Sequence, residues 1–246
     1  MSKAGEIAYL KRIGEAGSAH AAAKPFSDPN CAGYLAELAA VMALLPDLPA
    51  TVLDLGCGTG WTSRFLAKRG YHVTGIDIAE DMIAVAEAQR AAEGVEALRF
   101  LACDYETLGI AGEYDAAVFF DALHHSEDER AAIGAAFGAL KPGGVCVVSE
   151  PGKGHARSPD AVAAREKYGV TERDMPPARV IAAGKAAGFR AFAVHPHAMG
   201  IHKTLFAKPA GIGLRRLLRF GIVRALATAA VALWRKHASG IVVMTK

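Results

Sequence analysis

The chain has 246 residues, of which 52% are hydrophobic and 22% charged, with a formal net charge of +3 and four cysteines. This length predicts one large domain, and the apolar fraction excludes a disordered chain. The cysteines are scattered without a CxxC pair, which favours reduced thiols in a reducing compartment. The first residues contain no apolar segment of the secretory type, so we expect a cytoplasmic protein.

Charge is distributed unevenly along the sequence. Residues 1–174 carry 16 basic and 25 acidic side chains, whereas residues 175–246 carry 12 basic and no acidic ones. A stretch of 72 residues without a carboxylate indicates an anionic partner, such as a phosphate, a nucleic acid or a membrane surface.

In chain order, the predicted elements begin with helices up to about residue 50, where apolar residues recur at spacings of three and four. Short strands and amphipathic helices then alternate, with strands at 51–55, 72–77, 98–103, 114–120 and 145–150 and helices at 61–69, 80–93 and 126–139. Because these strands are apolar throughout, they are typical of parallel strands buried on both faces. The repetition predicts a doubly wound α/β sheet.

After residue 150 a polar loop leads to a helix near Pro176 and a strand at 189–195, and residues 240–246 are predicted as the last strand. The insert between the last two strands contains one or two predicted helices.

The helical part of this insert, residues 214–236, is basic at its start and apolar afterwards. Its charge-free run of ten residues is too short to span a bilayer, which needs about 20. Two interpretations stay open. The segment lies on anionic lipid with Arg215, Arg216 and Arg219 toward the headgroups, or it is a lid helix packed on the sheet.

A glycine-rich segment, VLDLGCGTG at residues 52–60, directly precedes the predicted helix at 61–69. Glycines have no Cβ, so the backbone there can turn sharply and lie against a ligand. Asp77 ends the next predicted strand, where a carboxylate can accept hydrogen bonds from both hydroxyls of a ribose. Together these features predict an adenosine-type ligand at the carboxyl edge of the sheet.

Two ligand classes fit this loop. A dinucleotide fingerprint needs G-x-G-x-x-G, but the spacing here is G-x-G-x-G and Trp61 stands at the third position. Asp54 would repel a pyrophosphate, whereas it suits an amino group or a sulfonium. The charge therefore favours S-adenosylmethionine over NAD. A NAD-dependent oxidoreductase and a non-catalytic, cofactor-binding partner subunit remain alternatives.

Five segments resemble, in order, the successive motifs of class I S-adenosylmethionine-dependent methyltransferases: VLDLGCGTG, GIDIAEDMI, LACDYETL, YDAAVFFDALHH and LKPGGVCVV. The resemblance implies a seven-stranded, Rossmann-like sheet whose antiparallel last strand is inserted between its neighbours. It divides the chain into an N-terminal helical cap at 1–50, a cofactor-binding core at 51–196, a basic helical insert at 197–239 and the last strand at 240–246.

The resemblance also implies which residues hold S-adenosylmethionine. The glycine loop surrounds the methionine part, the acid of the second strand holds the ribose, and residues after the second and third strands contact the adenine. The implied residues are Asp54, Gly56, Cys57, Gly58 and Gly60 for methionine, Asp77 for the ribose, Ile78, Met82, Asp104 and Tyr105 for the adenine, and Phe120 facing the methionine end.

Three residues after the fourth strand are candidates for catalysis: Asp121, His124 and His125. An oxygen acceptor would need a general base from this set. The alternative is that a histidine only hydrogen-bonds the loop, because transfer from a sulfonium often needs only proximity and in-line geometry.

A second group of histidines, His195, His197 and His202, lies near the predicted sixth strand. The first two would share a face of a strand, but no carboxylate follows Asp174 to complete a metal site. We therefore predict no metal and expect these histidines to contact substrate or to be ordinary hydrogen-bonded residues.

The predicted activity is methyl transfer from S-adenosylmethionine to a small-molecule, sugar or lipid-linked acceptor of anionic character, most simply at oxygen. We expect the acceptor between the cap around His20 to Tyr34, the loop at 121–125 and the insert. A nucleic-acid acceptor fits the charge, but the sequence has no Asn-Pro-Pro-Tyr-type segment, so it is disfavoured. The basic insert predicts peripheral contact with the inner face of the membrane.

Overall fold

A computed structural model describes residues 3–206, 217 and 219–246. Seven strands form one sheet in the order β3-β2-β1-β4-β5-β7-β6. The strands are β1 Thr51–Leu55, β2 His72–Asp77, β3 Leu98–Ala102, β4 Tyr114–Phe120, β5 Leu140–Ser149, β6 Ala191–Pro196 and β7 Gly240–Thr245. Strands β1 to β5 are parallel, whereas β7 runs antiparallel to both β5 and β6. The predicted sheet, with its inserted last strand, is confirmed.

Helices cover both faces of the sheet. In chain order they are α1 Ala4–Ile7, α2 Tyr9–Arg12, α3 Gly14–Ala22, α4 Cys31–Leu44, α5 Trp61–Arg69, α6 Glu80–Glu93, α7 Glu129–Ala139, α8 Pro159–Tyr168, α9 Pro177–Ala187, α10 Ala198–Leu205 and α11 Gly221–Leu233. One apolar core lies between the sheet and α4, α5 and α6, and a second lies under α7 and α9. The sheet is therefore buried on both sides, as its apolar strands predict.

Elements β1, β2, β4, α5 and α6 have the predicted boundaries, and β3, β6 and β7 differ from them by one or two residues at an end. Three larger differences have identifiable reasons. Strand β5 begins five residues early because Leu140 pairs with Tyr114 across an irregularity in the register. Helix α7 begins at Glu129, where the Asp128 side chain accepts from two backbone amides of its first turn. Helix α8 was not predicted, although Ser158 caps it and a proline opens it.

The insert between β6 and β7 contains α10, which packs on α4, and α11, which packs on α10. Residues 207–216 and 218, including Arg215 and Arg216, lie outside the described residues, so the predicted arginine face is described only at Arg219. Among the described helices, none is both long and apolar enough to cross a membrane.

Candidate active site

A cavity of about 280 Å³ opens at the carboxyl ends of the first four strands. Most of the predicted site residues line it. They are Gly56, Cys57, Gly58, Asp77, Ile78, Met82, Asp104, Tyr105, Phe120, Asp121 and His125. The cavity thus joins the predicted cofactor residues to the loop after β4.

The glycine loop brings its backbone against the cavity. The amides of Gly56 and Cys57 both donate to the Ile76 carbonyl, at 2.8 and 2.9 Å, which ties the loop to β2. Gly56 has φ +78°, and a Cβ there would lie 2.6 Å from the Cβ of Ala122. Gly60, at φ +75°, would meet Phe100 in the same way. Gly60 therefore lies behind the cavity wall and acts through packing.

Asp77 stands at the centre of the cavity's cofactor half. Its carboxylate accepts from the Gly58 amide and, at the start of α6, from the Ala79 amide, each at 2.9 Å. Burial raises the pKa of Asp77, and these two hydrogen bonds offset only part of the effect. The side chain therefore combines the capping role with a position on the cavity wall, where ribose hydroxyls could donate to it.

Asp54 is placed differently from the prediction. It is 1% exposed, and one of its oxygens accepts from the hydroxyls of Thr62 and Ser63, each at 2.6 Å. Burial raises the pKa of this carboxyl group. Asp54 thus faces the first turn of α5 behind the loop and does not line the cavity, which corrects the predicted contact with the methionine part.

The cavity itself still selects for a cationic ligand. Its lining includes five carboxylates but only two lysines, Lys3 and Lys24; the carboxylates are Glu6, Asp77, Asp104, Glu106 and Asp121. Such a wall disfavours a pyrophosphate and suits an amino group and a sulfonium. With backbone against one side and the apolar Ile78 and Met82 near Asp77, the residues present fit S-adenosylmethionine.

The adenine end is covered by the N-terminal segment. Lys3 Nζ lies 2.5 Å from Asp104 Oδ2 and 3.2 Å from Glu106 Oε2. The other oxygen of Asp104 accepts from the Glu106 amide. Residues Lys3, Glu6 and Tyr9 line the cavity. The sequence offers no signal for them, because their partners are distant in the chain: Lys3 is 101 residues from Asp104, and Glu6 is 165 residues from Thr171.

Asp121 occupies the opposite end of the cavity. It has φ +55°, a conformation that no other described non-glycine residue adopts, and its side chain is 41% exposed. Burial alone would raise the pKa of Asp121, but the electrostatic interactions with His124 and Lys24 outweigh it and lower that pKa. An ionised carboxylate therefore faces the cavity directly after β4.

His125 lies beside Asp121 on the same wall. Its Nδ1 is 2.6 Å from the carbonyl oxygen of Thr171 and 3.6 Å from Glu6 Oε1. Although burial lowers the pKa of this imidazole, the hydrogen bond and charge of Glu6 raise it to about 9. The imidazole of His125 is therefore positively charged at neutral pH.

His124 does not line the cavity. It is 3% exposed, and its Nδ1 lies 2.7 Å from Glu150 Oε2. The other oxygen of Glu150 accepts from the amides of Ala122 and Leu123. His124 therefore holds the loop after β4 in place, which corrects the prediction that it contacts the reacting groups directly. Glu150 directly follows β5 at the same sheet edge, and that position in the sequence could have indicated its role.

His197 forms a second buried link, this time to the cap. Its Nδ1 is 2.5 Å from Glu37 Oε1, and its Nε2 is 3.0 Å from the Glu150 carbonyl oxygen. Both partners only accept, so both ring nitrogens carry protons. Burial lowers the pKa of His197, but Glu37 raises it by more. His197 is thus a hydrogen-bonded residue that joins α4 to the end of β5.

The predicted acceptor region is only partly assembled at this cavity. His20, Lys24 and Tyr34 of the cap line it together with the loop after β4. Among the described residues, none from the insert does so. Burial, followed by the charges of Asp121 and Asp28, raises the pKa of Tyr34, so its hydroxyl stays protonated.

Comparison with known proteins identifies the core. Residues 52–144 match the family model described as a methyltransferase domain. The matched part of this chain is a methyltransferase domain. The predicted family is therefore confirmed, and because the family depends on S-adenosylmethionine, the predicted cofactor is confirmed over NAD.

Curated relatives of this methyltransferase core include ubiquinone biosynthesis O-methyltransferases. That of Psychrobacter cryohalolentis is 38% identical over 101 residues, which are 40% of this chain and 39% of the relative. That of Cronobacter sakazakii is 34% identical over 119 residues, 48% of this chain and 46% of the relative. The match thus spans less than half the length of either relative.

Solved structures show the same fold over most of the chain. A putative methyltransferase of Haloferax volcanii, in complex with the Trm112 activator, has a TM-score of 0.61 at 19% identity and covers 86% of this chain and 89% of its own. Phosphoethanolamine N-methyltransferase 2 of Haemonchus contortus, bound to S-adenosyl-L-methionine, has a TM-score of 0.60 at 17% identity. The alignment covers 85% of this chain and 51% of that protein. At these identities the likeness establishes the fold alone.

Proposed function

We propose that the protein transfers the methyl group of S-adenosylmethionine to a hydroxyl oxygen of a small acceptor molecule. The observation that carries this proposal is the single cavity that joins the glycine loop and Asp77 to an ionised Asp121 and His125. The two curated relatives described above are named as O-methyltransferases, which supports oxygen as the acceptor atom.

Each part of the cavity then has a role. The bound cofactor supplies an electrophilic methyl group on a sulfonium. Asp77 accepts from the ribose hydroxyls, and the glycine loop admits the methionine part because Gly56 and Gly58 carry no side chains. Asp121 is the carboxylate that can accept the acceptor's proton, and the positive His125 can donate to its oxygen.

We further propose that the acceptor is anionic and lipid-linked. The positive groups Lys24 and His125 face the acceptor end of the cavity and suit an anionic oxygen. Outside the cavity, the insert exposes large apolar side chains next to basic ones. The most exposed are Phe206 at 66%, Ile222 at 73%, Leu226 at 67% and Trp234 at 76%.

The cofactor assignment is tested by calorimetric titration with S-adenosylhomocysteine and, separately, NADH. We expect micromolar binding of S-adenosylhomocysteine, about −8 kcal/mol, that Asp77→Ala weakens, and no binding of NADH. Binding of NADH alone would overturn the proposal. Asp160→Ala, at an acid in the first turn of α8, is the matched control and should leave binding unchanged.

The acceptor is tested with methyl-labelled S-adenosylmethionine and two pools of unlabelled small molecules, one extracted from membranes and one aqueous. We expect label in the organic phase after incubation with the membrane pool, in a product that resists alkaline hydrolysis as an ether does. Label only in water-soluble products would reject the lipid-linked acceptor while retaining methyl transfer.

Membrane contact is tested by sedimentation with vesicles that contain anionic lipid. Leu226→Ser combined with Trp234→Ser should abolish binding, because both apolar side chains are more than half exposed on the insert. Phe26→Ser, at an equally exposed aromatic of the cap, is the control. Equal sedimentation of the double variant and the wild type would mean that these side chains of the insert do not bind the membrane.

A further inference from the structure

Three potential metal ligands converge behind the acceptor end of the cavity. His124 and His125 belong to the 3-10 turn after β4, and Glu172 lies between α8 and α9. One ligand atom from each lies within 4.8 Å of the other two. This set is separate from the histidine group at 195–202, and the sequence gives no signal that joins Glu172 to the two histidines.

The hydrogen bonds of both histidines are those expected of metal ligands. His124 Nδ1 lies 2.7 Å from the Glu150 carboxylate, and His125 Nδ1 lies 2.6 Å from the Thr171 carbonyl oxygen. Because both partners accept, each Nδ1 carries a proton, and Nε2 is the nitrogen of each ring that can bind a metal ion in exchange for its own proton. A ligating histidine almost always donates its other N–H to a carboxylate or a backbone carbonyl in this way.

The third ligand faces one of these free nitrogens. His124 Nε2 lies 3.5 Å from Glu172 Oε2, which exceeds the roughly 2.7–3.2 Å of an ordinary hydrogen bond. The same oxygen is 2.6 Å from His155 Nε2, which orients the carboxylate. Ligand atoms around a tetrahedral zinc ion are about 3.4 Å apart, so distances of up to 4.8 Å within the set need to shorten by at most about 1.4 Å.

We propose that His124, His125 and Glu172 bind a divalent transition-metal ion of the zinc type. Two imidazoles and one carboxylate suit zinc or iron(II), whereas magnesium prefers oxygen ligands alone. Three protein ligands leave a coordination position open. Since His125 lines the cavity, that position is next to the acceptor end.

An ion there would hold the acceptor oxygen beside Asp121. This role rests on the proposed function, whereas the binding of the metal does not. The experiment therefore measures metal binding directly and records binding of S-adenosylhomocysteine separately.

The full chain is stripped of metal by a chelator, dialysed and titrated with Zn²⁺ alone, and Co²⁺ is used as a spectroscopic probe. The test variants are His125→Gln and Glu172→Gln, because His124 is buried and its replacement could prevent folding. Glu166→Gln and His237→Gln change the same residue types at exposed positions outside the set and serve as controls. Thermal unfolding checks that every variant is folded.

We expect one Zn²⁺ per chain and visible Co²⁺ absorption typical of a four- or five-coordinate ion. Each test variant should weaken Zn²⁺ binding by more than about 100-fold. This loss exceeds the roughly 10–100-fold typical of replacing a residue that only hydrogen-bonds a ligand. The control variants should bind Zn²⁺ as the wild type does. Absence of stoichiometric binding to the wild type, or equal binding by wild type and Glu172→Gln, would overturn the proposal. Metal binding without S-adenosylhomocysteine binding would instead support the metal site and reject the proposed function.

Discussion

The two halves of the cavity are built in different ways. The cofactor half follows consecutive strand ends, and its contacts are local: the Gly58 amide meets Asp77 nineteen residues later. The acceptor half joins segments that are far apart, such as Glu6, Tyr34 and the loop after β4. A short motif therefore determines the cofactor half, whereas the acceptor half depends on the way the cap and the loops pack.

The largest loss of stability is expected for a substitution in the cofactor half, at Gly56. Gly56→Ala places a Cβ 2.6 Å from Ala122 at a φ of +78°, so strain and overlap together should lower the free energy of unfolding by about 2–5 kcal/mol. Gly58→Ala also has positive φ, but nothing lies within 4 Å of its Cβ, so it should cost only about 1 kcal/mol. Urea denaturation of both variants measures the difference. Equal losses would mean that the loop relaxes freely.

The next largest loss of stability is expected for a substitution that removes the link between the cap and β5, on which the packing of the acceptor half depends. His197→Gln leaves the buried Glu37 without its cation and should cost about 2–3 kcal/mol of unfolding free energy, somewhat less than for a fully buried pair. Binding of S-adenosylhomocysteine should persist. His195→Gln, two residues earlier in β6, is the control. A wild-type stability for His197→Gln would show that the cap docks without this ion pair.

This link also has a defined pH dependence. The pKa of Glu37 is lowered from 4.5, so its contribution is present above that value and is lost as the pH falls. The pKa of His197 is raised from 6.5, so its contribution is complete below that value and is lost as the pH rises through the folded pKa. The stability difference between wild type and His197→Gln should therefore be largest between these values and should decrease as the pH rises through the folded pKa of His197.

A third variant separates chemistry from cofactor binding. Asp121→Asn removes the charge but keeps a residue that tolerates φ +55°. If Asp121 accepts the proton, kcat should fall by about 100-fold or more while the Kd of S-adenosylhomocysteine changes by less than about threefold. Steady-state kinetics and calorimetry measure the two quantities. An unchanged kcat would mean that proximity alone suffices for transfer.

The same contrast explains what the sequence could predict. The boundaries of β1, β2 and β4 follow from buried apolar runs, and Asp77 follows from its position at a strand end. The direction of Asp54 did not follow, because a strand buried on both faces gives no alternation to show which side faces the ligand. Glu172 was missed because its partners are 17 and 48 residues away, in other loops.

The smallest expected effect tests whether the N-terminal segment belongs to the cofactor half. Lys3 Nζ lies 2.5 Å from a carboxylate oxygen of Asp104, the residue that the adenine amino group is expected to use. If the two compete, Lys3→Ala should tighten binding of S-adenosylhomocysteine by about two- to fivefold, as expected for losing a partly exposed ion pair of up to about 1 kcal/mol. Lys11→Ala, in α2, is the matched control. Weaker binding by Lys3→Ala would instead mean that this segment closes over the bound cofactor, so that even the adenine end depends on distant packing.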